Sequence, residues 1–388
     1  MEILFLTSDF LPNVGGMATH THELARAHVR NGHTVRLVHA VFGNGEAHIE
    51  MLDGITVYRL FVPSATPRLK HVAYVRTVRA VIRHLLESER ADILHWHDLT
   101  PNCWTTRAFR RRVPLVWTNH TSNYLEMCET RMGRLKIRTW LGHADAVIGP
   151  SRELAEKSLL TGVRADRIYA IPNGVDTDKF RPGMSFGVID KDYGIDATRP
   201  SVICPRRLEP KNGVEYLIRA IPLIRACIPG VQFLIVGGGF PEERARFEEF
   251  LREKGEAEGV VFTGNVPNTA MPSFYALASV SVLPSVMEAT SISGLESMAC
   301  GLPLVGTKVG GIPEIVEDGV TGILVEPRDS TGIAEAVVRL LRDDGLRETM
   351  GIAGRKRAER EFSWVEIARR TADVYRTVME DRVRRGGR

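Results

Sequence analysis

The sequence has few cysteines, and they form no recognisable pattern. There are 5 among 388 residues, and no two of them stand in a Cys-x-x-Cys pair. An odd and scattered set of this kind argues against a disulfide framework and against a thiolate metal site. We therefore expect a protein of a reducing, cytoplasmic compartment.

Long apolar runs are also missing. No run approaches the roughly 18 apolar residues that a membrane-spanning helix needs. The first residues, 1–6, have no basic leader and are soon followed by Asp9, so we interpret them as a first strand rather than a signal peptide. Any membrane contact is therefore expected to be peripheral.

Two common nucleotide-binding fingerprints are absent as well. Gly15-Gly16 precede a predicted helix but do not form Gly-x-Gly-x-x-Gly, which disfavours an NAD-dependent dehydrogenase. Gly237-Gly238-Gly239 lack the spacing and the lysine of a Walker loop, and we interpret them as a tight strand-to-helix turn. A glycine pair before a helix still lets backbone amides approach a phosphate, although many such pairs only form a turn.

The net charge of +4 hides a basic first half. Residues 1–180 contain 23 Lys and Arg against 18 Asp and Glu, concentrated between Arg68 and Arg138. This excess suggests an anionic acceptor or an anionic lipid surface. The alternative is a set of solvated helix faces without a partner. No nucleic acid partner is expected.

Short β-branched or leucine-rich runs recur along the chain with helix-length segments between them, which predicts βαβ units and mostly parallel, doubly wound sheets. The first series is Ile3–Leu6, Val35–His39, Ile55–Leu60, Ile93–Trp96, Leu115–Thr118, Ala146–Gly149 and Ile168–Ile171. The second series is Ser201–Cys204, Val231–Gly237, Val260–Thr263, Val280–Leu283, Leu304–Gly306 and Gly322–Val325.

The two series predict two Rossmann-like α/β domains with a cleft between them. We assign residues 1–180 to the first domain and residues 200–363 to the second. Residues 181–199, rich in Asp, Gly, Lys and Pro, form the predicted linker. Residues 364–388 have the pattern of one long amphipathic helix.

Histidines follow two predicted strands of the first domain, at the edge where open α/β sheets hold ligands. They are His95 and His97 after one strand and His120 after the next. An imidazole at His120 can donate to a sugar hydroxyl or steady charge near a leaving group, because its pKa lies near neutrality. The alternative is a histidine bonded to nearby backbone, which applies more strongly to His95.

Three cations follow the first strand of the second domain: Arg206, Arg207 and Lys211. At the edge of a cleft they can neutralise a diphosphate, arginine through forked hydrogen bonds and lysine as a point charge. The alternative is a charged turn that caps the helix predicted from Val214.

Two carboxylates, Glu288 and Glu296, are separated by seven residues. If a helix begins near Ile292, both lie near the backbone amides of Ser291, Ile292 and Ser293. Carboxylates accept hydrogen bonds from sugar and ribose hydroxyls, and the amides can stabilise developing phosphate charge. The alternative is that Glu296 only complements the helix dipole.

In their order along the chain, these segments resemble the family 4 retaining glycosyltransferases of GT-B fold. Each motif is modest alone, but the ordered set covers most of the chain. The matching segments are Gly15-Gly16, His120, Pro172-Asn173-Gly174-Val175-Asp176, Arg207-Leu208 with Lys211 and Gly213, Gly264, Glu288 with Glu296, and Val309-Gly310-Gly311-Ile312-Pro313-Glu314.

The resemblance implies an α/β GT-B fold, with two facing Rossmann-like domains, an interdomain cleft and a C-terminal helix that crosses back to the first domain. It also implies a role for each site residue. Arg207 and Lys211 bind the donor diphosphate, Glu296 binds the ribose hydroxyls, and Glu288 binds the transferred sugar. Val266, near Gly264, binds the base, Gly16 beside Gly15 contacts a phosphate, and His120 lies beside the sugar.

Two departures from the family pattern leave details open. Thr290-Ser291-Ile292 stand where relatives usually have Phe-Gly-Leu, and Asn212 separates Lys211 from Gly213. The contacts to the donor sugar are therefore left open, as is the choice of Arg206 or Arg207 for the main phosphate contact.

The implied reaction is transfer of a sugar from a UDP- or GDP-linked donor, such as GDP-mannose, to a hydroxyl acceptor, with retention of configuration. The acceptor is a glycan, a lipid or a small molecule, and neither a cofactor nor a metal is expected. The rival functions are a nucleotide-sugar 2-epimerase of GT-B fold and a noncatalytic nucleotide-sugar-binding protein. The expected location is the cytoplasm, with peripheral contact at the inner face of the membrane as a further hypothesis.

Overall fold

The chain forms two compact units in the computed structural model, which describes residues 1–13, 15–63, 70–120, 123–187 and 189–386. The first unit combines Met1–Gly174 with Trp364–Arg388, and the second is Val175–Ser363. The sequence placed the end of the first domain at residue 180, whereas the second unit starts at Val175. Residues 181–199, predicted to be a linker, fall within the second unit, where Ile195 is buried in the core.

The first unit is built on one sheet of eight strands. They are β1 (Glu2–Thr7), β2 (Thr34–Phe42), β3 (His48–Leu52), β4 (Ile55–Val62), β5 (Ile93–Trp96), β6 (Leu115–Thr118), β7 (Ala146–Gly149) and β8 (Ile168–Ala170). Their order is β3-β4-β2-β1-β5-β6-β7-β8, and every neighbouring pair except β3–β4 is parallel. The central strands β5, β6 and β7 are buried along their whole length, which explains their continuous apolar runs.

Strand β3 is the element that the sequence prediction missed. It pairs antiparallel with β4 through Asp53-Gly54, and both turn residues have positive φ, as a two-residue hairpin turn requires. Ile49 and Met51 of this edge strand are exposed, so it lacks the buried apolar face that marked the other strands. The Asp-Gly pair was the signal that would have revealed it.

Helices of the first unit connect its parallel strands. They are α1 (Gly16–Arg30), α2 (Lys70–Ser88), α3 (Asn102–Thr106), α4 (Asn123–Glu129), α5 (Arg131–Leu141) and α6 (Arg152–Lys157). Among all the helices of the described ranges, none combines the length and the apolar character that crossing a membrane requires.

The second unit has a six-stranded, wholly parallel sheet in the order β11-β10-β9-β12-β13-β14. Its strands are β9 (Ser201–Cys204), β10 (Gln232–Val236), β11 (Val260–Gly264), β12 (Val280–Leu283), β13 (Leu304–Thr307) and β14 (Gly322–Val325). Its helices are α7 (Ile189–Asp192), α8 (Val214–Cys227), α9 (Pro241–Glu253), α10 (Met271–Leu277), α11 (Ile292–Ala299), α12 (Ile312–Ile315), α13 (Ser330–Arg342) and α14 (Asp344–Glu361). Apolar residues on both faces of this sheet form two buried clusters.

The last helix, α15 (Trp364–Gly386), belongs to the first unit and packs on its core. Trp364 lies directly over Gly174, where a Cβ would approach the indole to 2.5 Å. The hydroxyl of Tyr375 is 2.6 Å from Nδ1 of buried His95, whose Nε2 is 2.7 Å from the hydroxyl of Thr118. A buried polar chain therefore ties α15 to strands β5 and β6.

We predict that Tyr375→Phe destabilises the first unit by about 1–3 kcal/mol, because it leaves a buried nitrogen of His95 without its partner. All 5 tryptophans lie in this unit, so their fluorescence during denaturant unfolding follows the unfolding of this unit. The control Tyr169→Phe removes an exposed hydrogen bond, and the free energy of unfolding should change by no more than about 0.5 kcal/mol. An equal loss of unfolding free energy in Tyr375→Phe and Tyr169→Phe would contradict a stabilising role for the Tyr375–His95 contact.

Candidate active site

The charged residues predicted for the site meet at the carboxyl ends of two adjacent strands in the second unit. Strand β12 pairs in parallel with β9, so the segments that follow both strands leave the sheet at one edge. Arg206 follows β9, and Glu288 lies in the loop after β12. Nη2 of Arg206 is 2.6 Å from Oε2 of Glu288.

Protein groups hold both members of this ion pair. Nη2 of Arg206 also donates to the hydroxyl of Ser291 at 2.9 Å, and Oε1 of Glu288 accepts from the backbone amide of Ala289 at 3.0 Å. The two charged side chains are only 11% and 15% exposed, so each depends on the other for compensation of its charge. The guanidinium of Arg206 is thus committed to its ion pair with Glu288.

Helix α11 begins beside this pair. Ser291 is its N-cap residue, and its hydroxyl accepts from the amide of Gly294 at 3.0 Å. The first amides of a helix lack an intrahelical acceptor. Ile292 and Ser293, in the first turn, therefore provide N–H groups near Arg206 and Glu288, where an anion can use them.

Two glycines support the loop that carries Glu288. A Cβ on Gly310 would lie 1.6 Å from the carbonyl oxygen of Glu288, and one on Gly311 would lie 2.3 Å from that of Ala289. Gly310 also has a positive φ of 51°. The glycine pair of the Val309–Glu314 motif is therefore required for direct contact with the backbone of the carboxylate loop.

Glu296 is 5% exposed and is held by two side chains that the sequence did not reveal. Its Oε2 accepts from the hydroxyl of Tyr275 at 2.9 Å, and its Oε1 accepts from the amide of Asn268 at 3.2 Å. Burial, reinforced by the Glu296 carboxylate, raises the pKa of Tyr275 well above its ordinary value, so the tyrosine stays a donor. The carboxylate is thus fixed in orientation, beyond any interaction with the helix dipole.

Arg207 and Lys211 are more exposed than Arg206. Their side chains are 63% and 43% exposed, and both contact Glu209, at 3.1 Å and 3.2 Å. Asn212 is buried, and its amide donates to the carbonyl of Arg207 at 2.9 Å. Asn212 therefore secures the turn that presents the two cations to solvent.

The turn after β9 also packs on the loop after β12. The carbonyl of Lys211 accepts from the amides of Val286 and Met287, at 2.9 Å and 3.1 Å. A Cβ on Gly213, whose φ is 63°, would lie 2.0 Å from the carbonyl oxygen of Pro284. Backbone contacts thus hold the segments of Lys211 and Glu288 together.

The base-binding residues implied by the resemblance lie at the end of β11, which is separated from β9 by β10. Gly264 ends β11 with a φ of 71° and bridges to Gly237 after β10, and Gly239 in turn bridges to Leu208 after β9. Val266 packs against the buried core of the unit. The ends of three adjacent strands are therefore joined at the edge that carries Arg206 and Arg207.

A second cluster, made of histidines, lies in the first unit. His97 and His120 follow the adjacent strands β5 and β6, and Nδ1 of His97 is 3.1 Å from Nε2 of His120. His20 of α1 has its ring centroid 4.3 Å from that of His120, and its Nδ1 is 2.7 Å from Oδ1 of Asn173. The sequence pointed to His120 but gave no signal for His20.

These histidines are uncharged at neutral pH. Burial lowers the pKa of His20 to about 4 despite its hydrogen bond to Asn173. Burial and, less strongly, the neighbouring imidazoles hold the pKa values of His97 and His120 well below their ordinary value. His120 can therefore exchange hydrogen bonds with a substrate hydroxyl, but it does not supply a positive charge.

Gly15 and Gly16 stand at the start of α1. A Cβ on Gly16 would meet no atom of the described residues within 4 Å, so these residues leave space for a ligand atom beside the helix start. Val14, Thr121 and Ser122, which flank the predicted site residues, lie outside the described residues, as does Arg68 of the basic stretch.

Two family models match the chain. One, described as Glycosyl transferases group 1, matches residues 199–343, and the other, described as Glycosyltransferase Family 4, matches residues 14–179. An uncharacterized glycosyltransferase of Methanocaldococcus jannaschii is 30% identical over 98% of this chain and 99% of its own length. The chain belongs to the family 4 glycosyltransferases.

Two further comparisons are consistent with this family. The GDP-mannose-dependent alpha-(1-6)-phosphatidylinositol monomannoside mannosyltransferase of Mycolicibacterium smegmatis is 29% identical over 96% of this chain and 97% of its own length. The crystal structure of Anabaena Alr3699/HepE in complex with UDP-glucose matches with a TM-score of 0.77 and 22% identity, covering 97% of this chain and 100% of that one. The predicted GT-B fold class is confirmed.

In this glycosyltransferase, the predicted site residues of the second unit all lie at the end of β11 or on the segments that follow β9, β11 and β12. Those residues are Arg207, Lys211, Gly264, Val266, Glu288, Ser291, Ile292, Ser293 and Glu296. Long-range contacts add Arg206, Tyr275 and Asn268, of which the sequence had offered only Arg206 as an alternative phosphate ligand. Tyr275 and Asn268 follow no motif, because their role depends only on where α10 and its preceding loop pack.

We expect the buried histidines to destabilise the first unit at acidic pH. His28 is stacked on Tyr375, and burial, together with nearby His33 and the N-terminus, lowers its pKa to about 3. The unfolded chain, with a histidine pKa of about 6.5, binds protons first as the pH falls, so stability present at neutral pH is lost between about pH 6.5 and pH 3. For His28 this loss is roughly 2 kcal/mol between pH 7 and pH 5.

We predict that His28→Phe reduces this pH-dependent loss by roughly 2 kcal/mol, because the unfolded state then has one proton fewer to gain. Tryptophan-detected unfolding of the first unit at pH 7 and pH 5 measures the difference. His48→Phe, at an exposed histidine of β3, should leave the loss unchanged. A His28→Phe protein with the wild-type pH dependence would contradict the prediction.

Proposed function

We propose that this glycosyltransferase moves a sugar from a UDP- or GDP-linked donor to a hydroxyl acceptor, with retention of configuration and without a metal. The observation that carries the proposal is the cluster of Glu288, Glu296, Arg207 and Lys211 at one edge of the second sheet. This edge offers acceptors for sugar hydroxyls and cations for a diphosphate on segments that contact one another. Similar proteins are named for GDP-mannose or bound to UDP-glucose, so both nucleotides are candidates.

Glu296 is assigned to the ribose hydroxyls of the donor. Tyr275 and Asn268 each donate to one of its two oxygens, which holds the carboxylate in one orientation. A carboxylate oxygen can accept more than one hydrogen bond, so this orientation suits the hydroxyls of a ribose diol. The base is assigned to the backbone of Val266, next to Gly264.

Arg207 and Lys211 are assigned to the diphosphate. Their exposed ends can exchange Glu209 for a more highly charged anion, whereas Arg206 would have to abandon Glu288. Arg207 is therefore favoured over Arg206 as the main phosphate contact. The amides of Ser291, Ile292 and Ser293 add donors at the start of α11.

Glu288 is assigned to the transferred sugar, with Arg206 as the residue that positions it. In the first unit, His120 is assigned to a sugar hydroxyl as a neutral imidazole, and Gly15 and Gly16 to a close backbone approach to phosphate. These roles in the first unit rest on the family resemblance.

The reaction step follows from this charge distribution. The acceptor oxygen bonds to the anomeric carbon on the face from which the phosphate leaves, the bond from that carbon to the phosphate oxygen breaks, and the departing phosphate takes the acceptor's proton. Arg207, Lys211 and the helix amides stabilise the negative charge that develops on the leaving group. The step assigns no nucleophile to the protein.

The test is a thermal-shift screen of UDP- and GDP-sugars, followed by transfer assays with glycan, lipid and small-molecule hydroxyl acceptors. We expect stabilisation by one class of donor, a product with the anomeric configuration of the donor by NMR, and full activity with EDTA. A new epimer formed from the donor alone would favour a 2-epimerase. Donor binding without transfer or hydrolysis across the acceptor panel would favour a noncatalytic binding protein.

With the donor identified, we predict that Glu296→Ala weakens nucleotide binding by roughly 10- to 100-fold, because it removes charge-assisted hydrogen bonds worth about 1.5–3 kcal/mol. Glu288→Ala should lower kcat by roughly 100-fold with a smaller effect on binding. Calorimetry and steady-state kinetics separate the two effects, with the exposed Glu326→Ala as the control. Unchanged kinetics in Glu288→Ala would remove this residue from the active site.

We further propose that helix α5 rests on an anionic membrane surface at the cytoplasmic face, which would bring the enzyme to a lipid-linked acceptor. Met132 and Leu135 are 63% and 60% exposed on this helix. Exposed Arg131, Arg134 and Lys136 surround them. Apolar side chains between basic ones are typical of helices that lie in the interface of anionic membranes.

We predict that Met132→Glu/Leu135→Glu lowers binding to phosphatidylserine-containing vesicles at least roughly tenfold, because burial of each side chain contributes about 1.5–3 kcal/mol. Vesicle sedimentation measures this, with neutral phosphatidylcholine vesicles for comparison. The control is Ile352→Glu, at an exposed apolar residue of the second unit. The prediction is contradicted if equal amounts of protein sediment with anionic and with neutral vesicles. It is also contradicted if the double substitution leaves the amount bound to anionic vesicles unchanged.

A further inference from the structure

Three histidines of the first unit converge on one small volume. One ring nitrogen from each of His20, His97 and His120 lies within 4.8 Å of those of the other two. The three residues come from helix α1 and from the ends of strands β5 and β6. We propose that these imidazoles form a binding site for a divalent transition-metal ion such as Zn²⁺.

Two of the nitrogens are already near ligand spacing. Nδ1 of His97 and Nε2 of His120 are 3.1 Å apart. Zn–N bonds of about 2.0–2.1 Å at a tetrahedral ion place two ligand nitrogens roughly 3.3 Å from each other. His20 completes the set once its ring approaches by at most roughly 1.5 Å. The proton that His97 and His120 share moves to the second nitrogen of the ring that carried it, so both ligands stay neutral imidazoles.

The surroundings of His20 match those of a metal ligand. Its Nδ1 donates to Oδ1 of Asn173 at 2.7 Å, which leaves Nε2 as an unprotonated acceptor. A histidine ligand almost always donates its second ring N–H to an oxygen in this way. Among the residues that the structure describes, Nε2 of His20 is buried without a hydrogen-bond partner. A bound cation supplies the partner that this nitrogen otherwise lacks.

The donor set selects the class of ion. Neutral imidazoles favour Zn²⁺, Ni²⁺, Cu²⁺ and Co²⁺, whereas Mg²⁺ and Ca²⁺ prefer oxygen ligands. Three protein nitrogens leave the fourth position of a tetrahedral ion for water or another small ligand. No short sequence spacing reveals this site, because His20 and His120 are 100 residues apart.

The site also has a consequence for transfer, and this consequence rests on the proposed function. His120 is assigned there to the donor sugar, so an ion on His120 would compete with the donor and slow transfer. Metal binding itself is measured without donor or acceptor. A failure of the metal site and a failure of the proposed function are therefore distinguishable.

The experiment uses full-length, untagged protein stripped with a chelator. Cys227→Ser serves as the background, because Cys227 is an exposed thiol that could bind metal by itself. We expect one equivalent of Co²⁺ to bind with the visible absorption of a tetrahedral site and to be displaced by Zn²⁺. His20→Ala should abolish this spectrum, and His48→Ala, at an exposed histidine, should leave it unchanged.

Asn173→Ala keeps all three ligands and tests the same site independently of His20. We expect Co²⁺ affinity to fall by roughly 10- to 100-fold, because the ring of His20 loses its orienting acceptor. Tryptophan fluorescence of the metal-free variants checks that the first unit is folded. The proposal is overturned if the Cys227→Ser protein, which keeps all three histidines, binds no Co²⁺. It is also overturned if folded His20→Ala and Asn173→Ala proteins bind Co²⁺ as tightly as this background protein.

Discussion

The ion pair between Arg206 and Glu288 is the contact on which the candidate site of the second unit depends. Each charge is largely buried, so neither can be left without the other. Because the partners follow two adjacent parallel strands, the pair fixes the loop after β12 against the turn after β9. The glycine contacts at Gly213 and Gly310 have the same effect through the backbone. The side chains of Arg207 and Lys211 take no part in these contacts, so they can extend toward solvent.

Two features of this chain that differ from the usual family pattern have structural roles here. Ser291 stands where relatives usually have glycine, and its hydroxyl both caps α11 and accepts from Arg206. Asn212, which separates Lys211 from Gly213, is bonded to the carbonyl of Arg207. Both side chains therefore stabilise the loops that present the charged residues. The departures support the framework of the site and leave its donor sugar to be identified.

The first unit relies on buried neutral imidazoles. His95 is fully partnered by Tyr375 and Thr118, which makes it part of the packing of α15. His20 and His97 instead keep buried nitrogens without hydrogen-bond partners among the described residues, next to His120. Neutral rings of this kind serve either as hydrogen-bonding groups for a sugar or as ligands for a metal. The same groups give the unit its sensitivity to acid, because burial disfavours their charged form.

The sequence by itself determined the two α/β units and most of their strands, because parallel strands buried on both faces leave continuous apolar runs. It also identified the candidate residues, because the motif residues keep a fixed order along the chain. It missed β3, whose exposed Ile49 and Met51 leave no such run. Only the tertiary structure decided that Arg206 pairs with Glu288, that Tyr275 and Asn268 hold Glu296, and that His20 joins His97 and His120. These contacts join residues from different strands, helices and loops, and they form only when the chain folds so that the ends of adjacent strands and the helices beside them meet.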